Sequence, residues 1–145
     1  GKVTHVSCMK GKSSVLEADI DDVYQILLRF ESGVFGNLGV DVVSRVQYRD
    51  LKVLCQDGVA LWDWQAKRLS IYRSCDKQWQ QLYPTGTSPS PSPEEQMYVD
   101  EMRYFIEVAR GEQTLMYSLS DDKRMLGLLY AAENSSDRAM HINLG

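Results

Sequence analysis

Residues 21–64 read DDVYQILLRFESGVFGNLGVDVVSRVQYRDLKVLCQDGVALWDW. Val23–Phe30 is a β-branched and aromatic run, and Glu31-Ser32-Gly33 after it is a turn in which glycine supplies a positive φ. Residues 34–44 return as a second strand, completing the clearest hairpin in the chain. A third run at 49–55 ends on Gln56-Asp57-Gly58, and 59–64 returns; Asp-Gly between two apolar runs is a strong hairpin signal. The alternation sorts the side chains. Tyr24, Ile26, Leu28, Phe30, Leu38, Val40 and Val42 form a purely apolar face that should lie under helices. Gln25, Leu27, Arg29, Phe35, Asn37 and Asp41, with Val23 and Val43, form a mixed face. Large apolar residues on a mixed face suggest a subunit interface more than a solvent face.

Working outward, residues 2–10 read as a first strand and 11–22 as a polar stretch carrying Glu17, Asp19, Asp21 and Asp22. Residues 68–73 and 78–83 continue the meander. Strands this closely spaced, with turn residues between them, argue for one antiparallel sheet. The stretch PTGTSPSPSP at 84–93 cannot ladder, because its prolines lack N–H groups, so it should be an exposed, extended connector. Ser92 then reads as a helix N-cap, Pro93 as the first helical residue and Glu95 as the reciprocal capping carboxylate. Tyr98, Met102, Phe105, Ile106 and Ala109 make an apolar stripe expected to face the sheet, and Gly111 stops the helix. A second helix starts near Ser118 or Ser120, with Asp121 and Asp122 in its first turn. Met125, Leu126, Leu129, Tyr130 and Ala132 carry its apolar side, and 140–144 is a last short strand. Strands followed by helices indicate an α+β fold: a single domain over 1–145, an antiparallel meander sheet with two helices on one face, and the other face open for oligomerisation.

The 145 residues carry a net charge of −4, which argues against a nucleic-acid binder. No apolar run approaches the ~18 residues that span a bilayer, and the first residues lack the apolar core of a signal peptide. Cys8, Cys55 and Cys75 are odd in number, with no C-x-x-C, and His5 and His141 are the only histidines. No metal site is predicted. Cys8 and Cys55 are expected as buried small hydrophobes in strands, and the cysteine usage suits a cytoplasmic protein. The acidic cluster at 17–22 lacks EF-hand spacing and is expected to be a solvated loop. His5 has no carboxylate partner at an identifiable spacing and takes a structural reading.

Several pieces in order carry a resemblance: Phe30-Glu31-Ser32-Gly33-Val34-Phe35-Gly36, then Asp41 to Arg45 with Arg49, then Gly58 with Trp62-Asp63. Glu101-Met102-Arg103-Tyr104-Phe105 and Ala131-Ala132-Glu133-Asn134-Ser135 follow, and a strand closes the chain. The ordered set resembles the C-terminal domain of Gfo/Idh/MocA-type sugar oxidoreductases along nearly the whole chain. The resemblance implies a substrate-binding and dimerisation domain of an NAD(P)-dependent sugar or nucleotide-sugar oxidoreductase, with the open sheet face as a homo-oligomer contact. It also implies a Rossmann partner domain that these residues do not contain. Gly33, Gly36 and Gly39 lie between strands rather than before a helix, so they cannot be a dinucleotide loop. The family's E-K-P lysine and D-x-x-x-H helix have no counterpart here. No catalytic or cofactor-binding residue carries over; NAD(P) is implied only for a full-length relative, and the chain is expected not to be catalytic by itself.

Arg45 and Arg49 are the candidate substrate residues, since arginine suits bidentate contact with a carboxylate or phosphate. Surface pairing with Asp41, Asp50 or Asp63 is the competing assignment. Trp62 and Trp64 share a strand face and suit a sugar ring or simple packing. The alternative function is a stand-alone binding or scaffold module that reuses the sheet for protein or small-ligand contact. A hydrolase finds no Ser/His/Asp or Cys/His set in recognisable context.

Overall fold

The computed structural model describes residues 1–83 and 93–145, with side chains of the second stretch from Gln96 onward. Residues 84–92 of the connector, and the capping roles of Ser92 and Glu95, lie outside the described residues; Pro93 opens its helix as the sequence predicts. The elements run β1 (Val3–Gly11), β2 (Val23–Phe30), β3 (Phe35–Asp41), β4 (Asp50–Cys55), β5 (Gly58–Asp63), β6 (Arg68–Arg73), β7 (Gln78–Leu82), α1 (Pro93–Ala109), α2 (Leu119–Asp137) and β8 (Ile142–Asn143). The α+β class is as predicted. The strands, however, form two four-stranded antiparallel sheets, β3-β2-β1-β8 and β4-β5-β6-β7, instead of one. Asp41 accounts for the break. Its carboxylate accepts the Val43 amide at 3.1 Å and the Ser44 amide at 2.7 Å, so those donors cannot extend the β3 ladder. The chain divides into two compact units, residues 1–44 with 115–145, and residues 45–114.

In the first unit, β1 lies between β2 and the short β8, and α2 covers one sheet face. Val6, Cys8 and Ile26 meet Ala131 and Ala132 in the core, with Tyr24, Leu28, Leu128 and Ile142 around them. Full burial of a Val or Ile side chain stabilises by roughly 1.5–3 kcal/mol. Burial also pushes the Cys8 thiol up, which keeps it protonated and inert. The helix face that makes this contact meets the predicted one at Ala132 only: Met125, Leu126, Leu129 and Tyr130 are exposed, and Ala131, Ala132 and Ser135 are buried. Close approach explains the shift. The Ser135 hydroxyl accepts the Cys8 amide at 3.0 Å and donates to the Met140 carbonyl at 2.6 Å, while the Ser136 hydroxyl accepts the Lys10 amide at 3.1 Å. β8 pairs only with His5 and Val6, so the two serines take the place of ladder partners along the rest of that β1 edge. Alanines at 131 and 132 let the helix come near enough to do this.

Ser118 is the N-cap of α2 and forms a capping box with Asp121; the Ser118 hydroxyl and amide, with Arg124, lower the Asp121 carboxyl to about 2. The loop before β2 is not simply solvated. Asp22 is buried and accepts the Ser13 amide at 2.6 Å and the Ser14 amide at 2.9 Å, which, with the Ser13 hydroxyl, makes it a tie across the loop. Lys10 is held between Asp21 at 2.7 Å and Asp137 at 3.3 Å, anchoring the loop and the end of α2 to β1.

In the second unit β4 to β7 form a meander with unbroken register. Cys55 is exposed, contrary to the prediction, because β4 is an edge strand whose residues are all solvated. Tyr72 and Trp79 pair across β6 and β7 with ring centroids 5.4 Å apart. α1 ends before Gly111, whose φ of 76° closes the helix as predicted. Its apolar stripe is solvated, with Phe105 64% exposed. Among the described residues no helix is long and apolar enough to cross a membrane.

Candidate functional site

The first sheet has a second face, opposite α2. Strand register places its residues in rows. His5 pairs with Arg29 and Arg29 with Phe35; Ser7 pairs with Leu27 and Leu27 with Asn37; Met9 pairs with Gln25 and Gln25 with Gly39. Val23 and Asp41 close the far end, and β8 adds Asn143 opposite His5. Gln25, Leu27, Arg29, Phe35, Asn37 and Asp41 therefore share one face, as alternation predicts.

That face is mixed in character and large in its apolar members. Met9 is 79% exposed, Leu27 57% and Phe35 76%. The Arg29 guanidinium lies 5.9 Å from the Phe35 ring centroid, a cation–π contact that orders both side chains at the surface. The rings of His5 and His141 lie 6.4 Å apart, and His5 Nδ1 is 3.1 Å from the Thr4 hydroxyl. Asp41 has a carboxyl lowered chiefly by the Ser44 amide, then by the Ser44 hydroxyl, so it stays ionised while committed to its own turn.

Arg45 and Arg49 fall in the second unit. Arg49 stacks over Trp64 at 5.5 Å instead of pairing with an aspartate. Asp63 takes Arg68 at 3.7 Å and the Ala66 amide at 2.9 Å. A cavity of about 200 Å³ nearby is lined by Tyr48, Asp50, Leu61, Trp62, Asp63 and Arg68. Trp62 lines it and Trp64 does not; Trp64 serves as the platform for Arg49. Among the described residues no group of three or more His, Cys, Asp or Glu is placed to hold a metal ion. Alternation along residues 21–64 identified six residues of the open face. Met9, His5, His141 and Asn143 were missed there, although the alternation of β1 against the buried Val6 and Cys8 signals the first two.

No family model matches the chain, and no curated protein matches it in sequence. Solved structures match its fold. A levoglucosan dehydrogenase in complex with NADH and levoglucosan superposes with a TM-score of 0.77 at 16% identity, covering 99% of this chain and 45% of that one. An oxidoreductase domain protein from Kribbella flavida gives 0.81 at 14% identity, with 99% and 44% covered. A UDP-N-acetylglucosamine 3-dehydrogenase from Acidithiobacillus ferrooxidans gives 0.73 at 16% identity, with 92% and 40% covered. The chain thus spans less than half the length of these structures. Its fold is the one found in the corresponding part of Gfo/Idh/MocA-type oxidoreductases.

Proposed function

We propose that the chain is the C-terminal substrate-binding and dimerisation domain of an NAD(P)-dependent sugar or nucleotide-sugar oxidoreductase, working beside a nucleotide-binding domain that supplies cofactor and chemistry. The observation that carries this is the coverage: essentially all of this chain aligns with less than half of each dehydrogenase. The domain's part is to wall the substrate pocket and to hold two copies together through the open face of the first sheet. Arg45 and Arg49 are its candidate anion contacts. The Trp64 ring under Arg49 holds the guanidinium plane, which favours bidentate contact with a carboxylate or phosphate.

A second copy of this chain is the proposed occupant of the open face. The face carries three large exposed apolar side chains, Leu27 near its centre, Met9 on β1 and Phe35 toward the β2–β3 turn, and few charges, a composition suited to an interface. Light scattering at micromolar concentration should therefore report a dimer. Leu27→Asp should give a folded monomer, because it puts a carboxylate at the centre of the contact; burying an unpaired charge there should weaken association by at least about 100-fold. A monomeric wild-type chain would remove the dimerisation role.

A further inference from the structure

The cavity of about 200 Å³ in the second unit is lined by neither Arg45 nor Arg49. Strand register builds it. Asp50 on β4 pairs with Asp63 on β5, which pairs with Arg68 on β6; two residues along, Leu61 pairs with Ser70. Residues two apart in a strand point the same way, so both rows present their side chains to one side of this sheet. Tyr48, just before β4, completes the wall, its hydroxyl donating to the Asp50 carboxylate. Ser70 is buried, and Leu61 is the apolar part of this side.

The polar groups here are only partly committed. One Asp63 oxygen accepts the Ala66 amide at 2.9 Å, and the Arg68 Nη2 lies 3.7 Å from the other, too far for a hydrogen bond. The Arg68 Nε is buried and has no partner among the described residues. Buried donors in folded proteins are nearly always paired, because leaving one unmade forfeits its hydration. A single water would serve the Nε, yet at ~30 Å³ each the cavity has room for several.

The charges select the ligand. Two carboxylates against one guanidinium leave the lining with an excess of negative charge, which repels a carboxylate or phosphate. A cation faces the guanidinium and gives the Nε–H nothing to donate to. A neutral hydroxyl meets both needs: its oxygen accepts from Nε, and its hydrogen goes to Asp50 or Asp63. Pockets for drug-sized ligands run ~300–1,000 Å³, so this smaller one suits a single ring, whose C–H face can lie against Leu61. We propose that this cavity binds a neutral polyhydroxylated ring, a cyclitol or a single pyranose, with Arg68 donating through Nε and with Asp50 and Asp63 accepting from its hydroxyls. The site needs neither a second copy nor a nucleotide-binding domain, so it stands or falls separately from the function proposed above.

Amide proton–nitrogen correlation spectra of the 145-residue chain, titrated separately with myo-inositol, D-glucose, sodium sulfate and methylammonium chloride, test the proposal. The expected result is saturable shifts of amides in 48–51, 61–63 and 68–70 with at least one of the two polyols. The dissociation constant should be about 1–10 mM, the range for one small ring held by a few hydrogen bonds. Sulfate and methylammonium should leave those amides unmoved. Arg68→Lys, which loses the Nε donor, and Asp50→Asn should each weaken binding at least about fivefold with an unchanged circular dichroism spectrum. The proposal would be overturned by the lack of a saturable shift at these amides with either polyol up to about 100 mM. Saturation of the same amides by sulfate or methylammonium, or full affinity in both variants, would overturn it equally.

Discussion

Ser135→Ala is expected to lower the stability of the chain by about 2–3 kcal/mol, the loss associated with stranding buried hydrogen-bonding groups. Ser135 is 1% exposed and bridges two segments with one hydroxyl, accepting the Cys8 amide and donating to the Met140 carbonyl. Alanine fits the space, so the cost is not steric. It comes from leaving the Cys8 amide with no partner at an edge that β8 does not reach. Thermal unfolding should shift down by roughly 5–10 °C for a chain of this length. Ser136→Ala removes one half-buried bond and should cost only about 1 kcal/mol. Equal melting temperatures for wild type and Ser135→Ala would show that the hydroxyl does not tie α2 to β1.

Gly58→Ala should be as damaging for a different reason. A Cβ built on Gly58 lies 2.2 Å from the Tyr72 carbonyl oxygen and 3.3 Å from its carbon, both backbone atoms of the neighbouring strand. Neither can swing away as a side chain would, so β5 and β6 must separate, at a cost of about 3 kcal/mol. Gly127→Ala is the control: nothing lies within 4 Å of its added Cβ, and it sits inside α2. That change should stabilise by about 0.5–1 kcal/mol through helix propensity. Urea midpoints of the two variants should therefore move in opposite directions. A Gly58→Ala protein as stable as wild type would mean that the β5–β6 register is wrong.

These two residues also mark where the sequence was legible and where it was not. Strand positions from 23 to 82 were readable because alternation and turn residues are local signals; Gly33, with φ of 84°, is the predicted turn glycine. Gly58 was read as a turn residue because it follows Asp57, yet it is the first residue of β5 and is needed for close strand approach. Lys67 and Lys77 have φ of 46° and 51°, left-handed positions that glycine usually signals, so no local pattern announced them.

The division into two sheets was hidden for a related reason. It depends on how one side chain, Asp41, uses its oxygens, which alternation does not encode. Of the predicted packing face of α2 only Ala132 is buried, because large apolar residues dominate a periodicity count. The contact itself uses Ala131, Ala132 and Ser135, whose value lies in small size and one hydroxyl. The six open-face residues of β2 and β3 were found because period-two patterning survives tertiary context. The alternation of β1 puts His5 and Met9 on one side; which residues of β2 and β8 they lie beside was visible only once the register was known.

The function proposed for the chain divides the labour: this domain would shape the pocket and pair, while a separate domain would hold the dinucleotide. Titration of the purified chain with NADH, followed by nicotinamide fluorescence, tests it most directly. No saturable change is expected up to millimolar chain. A saturable site with micromolar affinity would contradict it, because it would place cofactor chemistry within these 145 residues.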